Sequence, residues 1–249
     1  MEDIFHKKFD KNNTFFTSDI HAYHTNICSG TSSWSSGYRN FNNPEEMTNL
    51  IIGNINKKVD ENSHLFINGD TLFGDKSKLP NLISRIRCKN LYLIFGNHDD
   101  FIRKNHNFRK LFKYTSPYVE IQFGSKLVCM FHYSCEVWRE SHRGSWLLYA
   151  HSHGSLPDNL NAKKIDIGMD TEYSLFNNQL VMTTNYDIQP IKGLNGEIVK
   201  LNMAEYPNWK DREIIHERFT PFNYHEIDEI MTYKKQELTD HHGTRKNME

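Results

Sequence analysis

No apolar run in this chain of 249 residues approaches the roughly 18 residues that a membrane span requires. An excess of one charge is also missing: 30 basic and 31 acidic residues give a formal net charge of −1. That balance excludes the strong positive field with which a protein coats DNA or RNA, so stable nucleic-acid binding is not expected. The four cysteines, Cys28, Cys88, Cys129 and Cys135, form no C-x-x-C pair, which excludes a zinc ribbon or a thioredoxin-type motif. Met1 to Asn13 is polar and charged, unlike a secretory leader. Free thiols, no leader and no span make a protein of the cytoplasm the expectation, or of the host cytoplasm for a viral chain. No fixed-period repeat and no low-complexity tract occur. The length suits one core near its upper size limit, and a single domain is expected over residues 1–238. The polar stretch 239–249 reads as a disordered tail. What the chain does have is histidine, with 14 residues. A histidine serves as core donor, pH-sensitive group or metal ligand, and only position separates these uses.

Thr14 to Thr17 is a short β-prone run that ends at Ser18-Asp19. Cys28 to Asn43 is rich in Ser, Gly and Asn and reads as a loop. Asn43-Pro44 then starts a helix, with Asn43 as N-cap and Pro44 in the first turn. Met47, Leu50, Ile51, Ile55 and Val59 follow at helical spacing. Leu65 to Ile67 ends at Gly69-Asp70, and Leu79 to Ile86 suits a helix. Leu91 to Phe95 ends at Gly96-Asn97-His98-Asp99. Tyr118 to Phe123 and Leu127 to Phe131 predict a hairpin around Gly124-Ser125, and its second strand ends at His132. Leu147 to Ala150 ends at His151-Ser152-His153, and Ile165 to Gly168 is one more short strand. Five apolar runs thus lead straight into polar clusters. Strands buried on both faces are continuously apolar, and in a layered α/β protein their ends converge on one edge that carries the chemistry.

Each cluster alone is ordinary: a Gly-Asp turn or an Asn-His-Asp cap needs no function. Together, and in this order, they resemble the calcineurin-like metallophosphoesterases, whose pattern is D-x-H, G-D, G-N-H-[D/E], a lone His and G-H-x-H. The resemblance runs from Thr14 to about Gly168. Ala150 departs from it by standing where the family has Gly, and Phe73 stands where many members carry Asn or an acidic residue. The resemblance implies a four-layer α/β/β/α sandwich and a centre of two divalent metal ions. It puts Asp19, His21 and His153 on one ion and Asn97, His132 and His151 on the other, with Asp70 bridging. Such a mixed imidazole and carboxylate set favours Mn²⁺, with Fe, Zn or Ni as alternatives. His98 is expected near the leaving group as a catalytic residue, and Asp99 as the partner that orients it. The implied reaction is hydrolysis of a phosphodiester or phosphomonoester by a metal-bound hydroxide.

Asp19 to Ile27, His132-Tyr133-Ser134 with Trp138, Ile167 to Asp170 and Phe219 to Ile227 are similar to the small phage and bacterial members of that superfamily. His24, Arg39, His142 and Arg143 flank the motifs and are candidate substrate contacts. A small nucleotide-type substrate such as a cyclic nucleotide is favoured. A nuclease acting on polynucleotide ends and an inactive binding module on the same fold are the alternatives. The aligned ends leave residues 171–218 as an insertion before the C-terminal helix, expected to be β-rich with a hairpin turn at Leu194 to Glu197. It would flank the site or form a homodimer contact.

Overall fold

The computed structural model describes residues 8–33, 39–176, 179–184, 191–192, 198–199 and 219–237. Four short strands, β1 (Thr14–Thr17), β2 (His64–Ile67), β3 (Asn90–Ile94) and β4 (Tyr114–Ser116), lie parallel in one sheet, with β14 (Phe222–Asn223) antiparallel beside β1. A second sheet has the order β5-β6-β7-β9, from β5 (Tyr118–Phe123), β6 (Lys126–Phe131), β7 (Trp146–Tyr149) and β9 (Lys164–Asp166). In it β5 and β6 are the expected hairpin, and β6, β7 and β9 run parallel.

Alternate residues of each strand point to opposite faces, and both faces of the first sheet are covered. Phe15, Leu65, Ile67, Leu91 and Leu93 pack on one side against α1 (Pro44–Lys58), α2 (Leu79–Ser84) and α3 (Asp100–Lys104). Asn43 caps α1 as its sequence suggests, its side chain accepting from Glu46 N at 2.8 Å. On the other side Phe16, Phe66, Tyr92 and Ile94 meet Val119, Ile121, Val128, Met130, Leu148 and Ile165 of the second sheet. Phe16, Phe66 and Tyr92 are partners in the strand register. Their rings stack, with centroids 5.6 Å apart for the first pair and 4.5 Å for the second. Burying each such ring is worth about 1.5–3 kcal/mol. The outer face of the second sheet is closed by Trp138 and Ala162 over Leu127, Cys129, Leu147 and Tyr149.

Short helix α4 (His106–Arg109) follows α3. The last described helix, α5 (Tyr224–Thr232), opens with a capping box of Asn223 and Glu226 and packs Tyr224, Ile227 and Met231 into the core between the sheets. In the expected insertion, β10 (Thr171–Phe176) and β11 (Gln179–Thr184) pair antiparallel. So do β12 (Ile191–Lys192) and β13 (Ile198–Val199), while β12 also lies parallel to β8 (Asp158–Asn159). The expected turn at Leu194 to Glu197 and the tail 239–249 lie outside the described residues. Among the described residues no helix is long and apolar enough to cross a membrane.

Candidate metal centre

Because β1, β2 and β3 run parallel, as do β6 and β7, Asp19, Asp70, Asn97, His132 and His151 all leave strands at one edge. The backbone there is unusual. Five of the seven non-glycine residues with positive φ among the described residues are Asp19, His21, Asp70, His151 and His153. The left-handed region costs an ordinary residue about 1–2 kcal/mol, so surrounding contacts must hold these turns in place. Those contacts cross between strands. Asp19 N donates to Gly69 O at 3.1 Å, His21 N to Asp70 O at 2.9 Å, and His151 N to Asp19 Oδ2 at 3.1 Å. The turns also send the two histidines of the H-x-H segment apart. The His151 ring lies against His132 with centroids 5.2 Å apart, and the His153 ring stacks on His21 at 5.0 Å.

Two groups result, Asp19, His21 and His153, and Asp70, His132 and His151, each with one donor atom per residue within 4.8 Å of the others. Asp70 Oδ2 stands between them, 3.5 Å from His21 Nε2 and 3.4 Å from His132 Nε2. Asn97 joins the second group, its Oδ1 3.2 Å from His132 Nε2. His132 Nδ1 lies 2.7 Å from the carbonyl of Asn68, so that nitrogen carries the proton. Nε2 of a neutral His132 is then an acceptor facing a second acceptor, and the contact needs either a proton or a cation between them.

Atoms without partners point the same way. Neither nitrogen of buried His21 makes a hydrogen bond, nor does Asp19 Oδ1. Leaving a buried polar atom unsatisfied costs about 1–3 kcal/mol, and a divalent cation with oxygen and imidazole ligands would satisfy Asp19 Oδ1 and one of the two His21 nitrogens. Burial, chiefly, pushes the Asp19 carboxyl up to about 7 and holds the His21 imidazole well below its usual range. Burial pulls His153 and His132 down, but neighbouring carboxylates outweigh it and both rise to about 9. Without metal, these two rings are cationic at neutral pH and compensate the carboxylates.

That protonation predicts how a cation would bind. A ligand imidazole must be neutral and a ligand carboxylate ionised, so each ion displaces one proton, from His153 in one group and from His132 in the other, and near pH 7 the first group also loses part of a proton from Asp19. The affinity of each should rise about tenfold per pH unit from 7 to 9 and level off above. Isothermal titration with Mn²⁺ in buffers of different ionisation enthalpy would measure the released protons. An affinity flat across that range would contradict the assignment.

Two glycines make room for this packing. A Cβ at Gly69, whose φ is +100°, would overlap His132 Nδ1, and one at Gly96 would overlap Asp70 Oδ1 and lie 2.7 Å from Asp70 N. Gly96→Ala should therefore push Asp70 aside and lower stability by about 1–3 kcal/mol. Thermal melting with and without Mn²⁺ checks this: the variant should melt lower and lose most of any metal-dependent gain.

His98 lies at the mouth, its side chain 38% exposed and Nε2 4.0 Å from Asp70 Oδ2. Its backbone N–H donates to Asp70 Oδ1 at 2.9 Å. The His24 ring is 5.3 Å from that of His21 and lies 3.8 Å from the Phe73 ring, next to the first group and outside both.

Four expected roles change. Asp99 does not orient His98. It is fully buried, and its oxygens accept from the backbone N–H groups of Asp70 at 2.8 Å, Thr71 at 3.1 Å and Gly96 at 2.9 Å. It ties the Gly-Asp turn to the Gly-Asn-His turn. Arg39 is no substrate contact, because it is 0% exposed and paired bidentately with Asp170. His142 and Arg143 sit in a 3-10 turn just before β7, whereas the site follows β7, so they occupy the opposite edge of the sheet.

Three residues not expected to contribute hold the edge together. Asn68 Nδ2 donates to the carbonyls of Phe131 and Leu148, both at 3.1 Å, and so staples the two sheets beside the site. Asp166 accepts from Ser152 Oγ at 2.6 Å and Gly154 N at 3.0 Å, fixing the H-x-H turn. Asp170 Oδ2 lies 2.6 Å from His153 Nδ1. An aspartate at the end of an apolar strand, the signal that marked Asp19, was present in Ile167 to Asp170 as well.

The family described as calcineurin-like phosphoesterases matches residues 13–178. No curated protein matches the chain significantly. Among solved structures, a protein of unknown function from Aquifex aeolicus is 20% identical with a TM-score of 0.43, over 63% of this chain and 89% of its own. The nuclease MPE of Pseudomonas putida is 16% identical with a TM-score of 0.37, over 59% of this chain and 63% of its own. A predicted phosphoesterase from Streptococcus pneumoniae is 14% identical with a TM-score of 0.27, over 74% and 77%.

Proposed function

Since the chain belongs to the calcineurin-like phosphoesterase family, we propose that Asp19, His21, Asp70, Asn97, His132, His151 and His153 hold two divalent metal ions and that the protein hydrolyses small phosphoesters. The observation that carries this reading is the single carboxylate oxygen, Asp70 Oδ2, within 3.5 Å of an imidazole nitrogen of each group. When bound, the ions supply positive charge against the phosphoryl oxygens and lower the pKa of an attacking water. The chain's own residues do the rest. Asp70 holds the two groups at one spacing and, through Oδ1, fixes the backbone of His98. The half-exposed His98 ring then faces incoming substrate, where its imidazole can give a proton to the departing oxygen. Asp99, Asp166 and Asn68 keep the turns from relaxing.

The mixed nitrogen and oxygen donors suit Mn²⁺ best, with Fe, Zn or Ni next. A nucleotide-type ester, cyclic nucleotides first, fits a site with aromatic rings at both sides: Phe73 beside His98 and the 38% exposed Tyr133 beside His151. Residues 171–218 would then shape substrate choice or make a dimer contact. β10 begins immediately after Asp170, and Tyr173 Oη accepts from Asp166 N at 3.0 Å. The four free thiols suit a reducing compartment such as the cytoplasm.

Bis-p-nitrophenyl phosphate hydrolysis with and without Mn²⁺ tests the activity, followed by a screen of mono- and diester nucleotides. Metal-dependent turnover is expected. Its absence across Mn²⁺, Ni²⁺ and Co²⁺, in protein shown to hold metal, would leave a binding module on the same fold.

A further inference from the structure

The three residues of the Asp19 group share one buried support. Arg39, fully buried, donates from Nη2 to the carbonyl of Asp19 at 2.6 Å and from Nη1 to the carbonyl of Ile20 at 2.9 Å. These two peptides form the left-handed turn that presents Asp19 and His21. The same guanidinium grips Asp170, Nε to Oδ1 at 2.8 Å and Nη2 to Oδ2 at 2.7 Å, and Asp170 Oδ2 takes the Nδ1 proton of His153 at 2.6 Å. One cation thus reaches two ligands through their backbone and the third through its ring.

A buried ion pair seldom adds net stability, because desolvating both charges offsets their attraction. What the bidentate fork does supply is fixed geometry. With Nδ1–H given to a carboxylate, it is Nε2 of His153 that gives up its proton to an ion, and the ring then becomes a stronger donor. His132 gives its Nδ1–H only to the neutral carbonyl of Asn68, and His151 in the second group is exposed. The two groups are therefore unequal before any ion arrives.

Resting on the metal-centre reading above, we propose that Arg39 and Asp170 are positioning residues for the Asp19, His21 and His153 group, which they preorganise so that it binds its ion first and more tightly than the other group. Ordering three ligands in advance removes a cost that binding would otherwise carry.

Zn²⁺ titrated into the metal-free full chain, labelled with ¹⁵N histidine, reads the order directly by NMR. The first equivalent should shift the rings of His21 and His153, and the second those of His132 and His151. Asp170→Asn should weaken the first step by about 10–100-fold and leave the second unchanged. Simultaneous or reversed shifts in the wild-type protein would overturn the proposal, and that measurement stands even where the variant fails to fold. A folded Asp170→Asn protein with both affinities intact would overturn it too. A wild-type protein that takes up no Zn²⁺, Mn²⁺ or Ni²⁺ would instead overturn the metal-centre reading and this inference with it.

Discussion

Asp70→Asn is expected to leave the protein folded, with fewer than two ions per chain and turnover reduced by at least about 1000-fold, some 4 kcal/mol of transition-state stabilisation. The fold should survive because asparagine tolerates the left-handed backbone that Asp70 adopts, with φ of 53°, at least as well as aspartate does. The backbone bonds of this turn, which accepts from His21 N through its carbonyl and donates to Asp99 Oδ2 through its N–H, are also untouched by the change. What disappears is the negative charge at Oδ2, the atom 3.5 Å from His21 Nε2 and 3.4 Å from His132 Nε2. A neutral amide cannot neutralise two cations, and its NH2 end would present donors where a ligand is needed. Elemental analysis of the purified variant, beside its turnover of bis-p-nitrophenyl phosphate, decides the matter. Two ions retained at wild-type turnover would remove Asp70 from its proposed place between the groups.

His98→Ala separates chemistry from metal content. His98 anchors to Asp70 through its backbone N–H, which alanine keeps, so both ions should stay. Turnover of an alkyl phosphoester, whose leaving oxygen needs a proton, should fall about 10²–10⁴-fold. With p-nitrophenolate as leaving group the loss should shrink, because that anion departs without protonation. Equal losses for both substrates would argue for a role in charge stabilisation alone. Unchanged turnover for both would end the assignment of His98 to the reaction.

Much of the candidate site is legible because its proposed ligands follow strands that are apolar on both faces. Continuous runs such as Leu91 to Phe95 mark strands through the middle of the molecule, and the polar residue that ends each run marks the edge. The N-cap of α1 and the β5–β6 hairpin are local signals, carried by residues next to one another in the chain. Contacts between partners far apart in sequence carry no such local signal. Arg39 stands in a Ser- and Gly-rich loop, where a charge is ordinarily solvated, and its partner Asp170 is 131 residues away. Nothing within either segment announces the pair. Asp99 adjoins His98 in sequence, yet the turn directs its carboxylate back onto Gly96, Asp70 and Thr71. His142 and Arg143 are near the H-x-H motif along the chain, but the length of β7 lies between. Sequence proximity equals spatial proximity only on the same side of a strand.

The stacked rings of Phe16, Phe66 and Tyr92 act as a ruler for the chemistry. Asp19, Asp70 and Asn97 follow these three rungs by three, four and five residues, so the proposed ligands climb a diagonal across the sheet. One residue of slippage between neighbouring strands would displace a ligand by about 3.3 Å and turn its rung toward the helices. Large aromatic rungs make such a slip costly on one face, just as the aliphatic residues do on the other. Ångström accuracy at the mouth of this protein is thus set several residues away, by side chains that touch neither metal nor substrate.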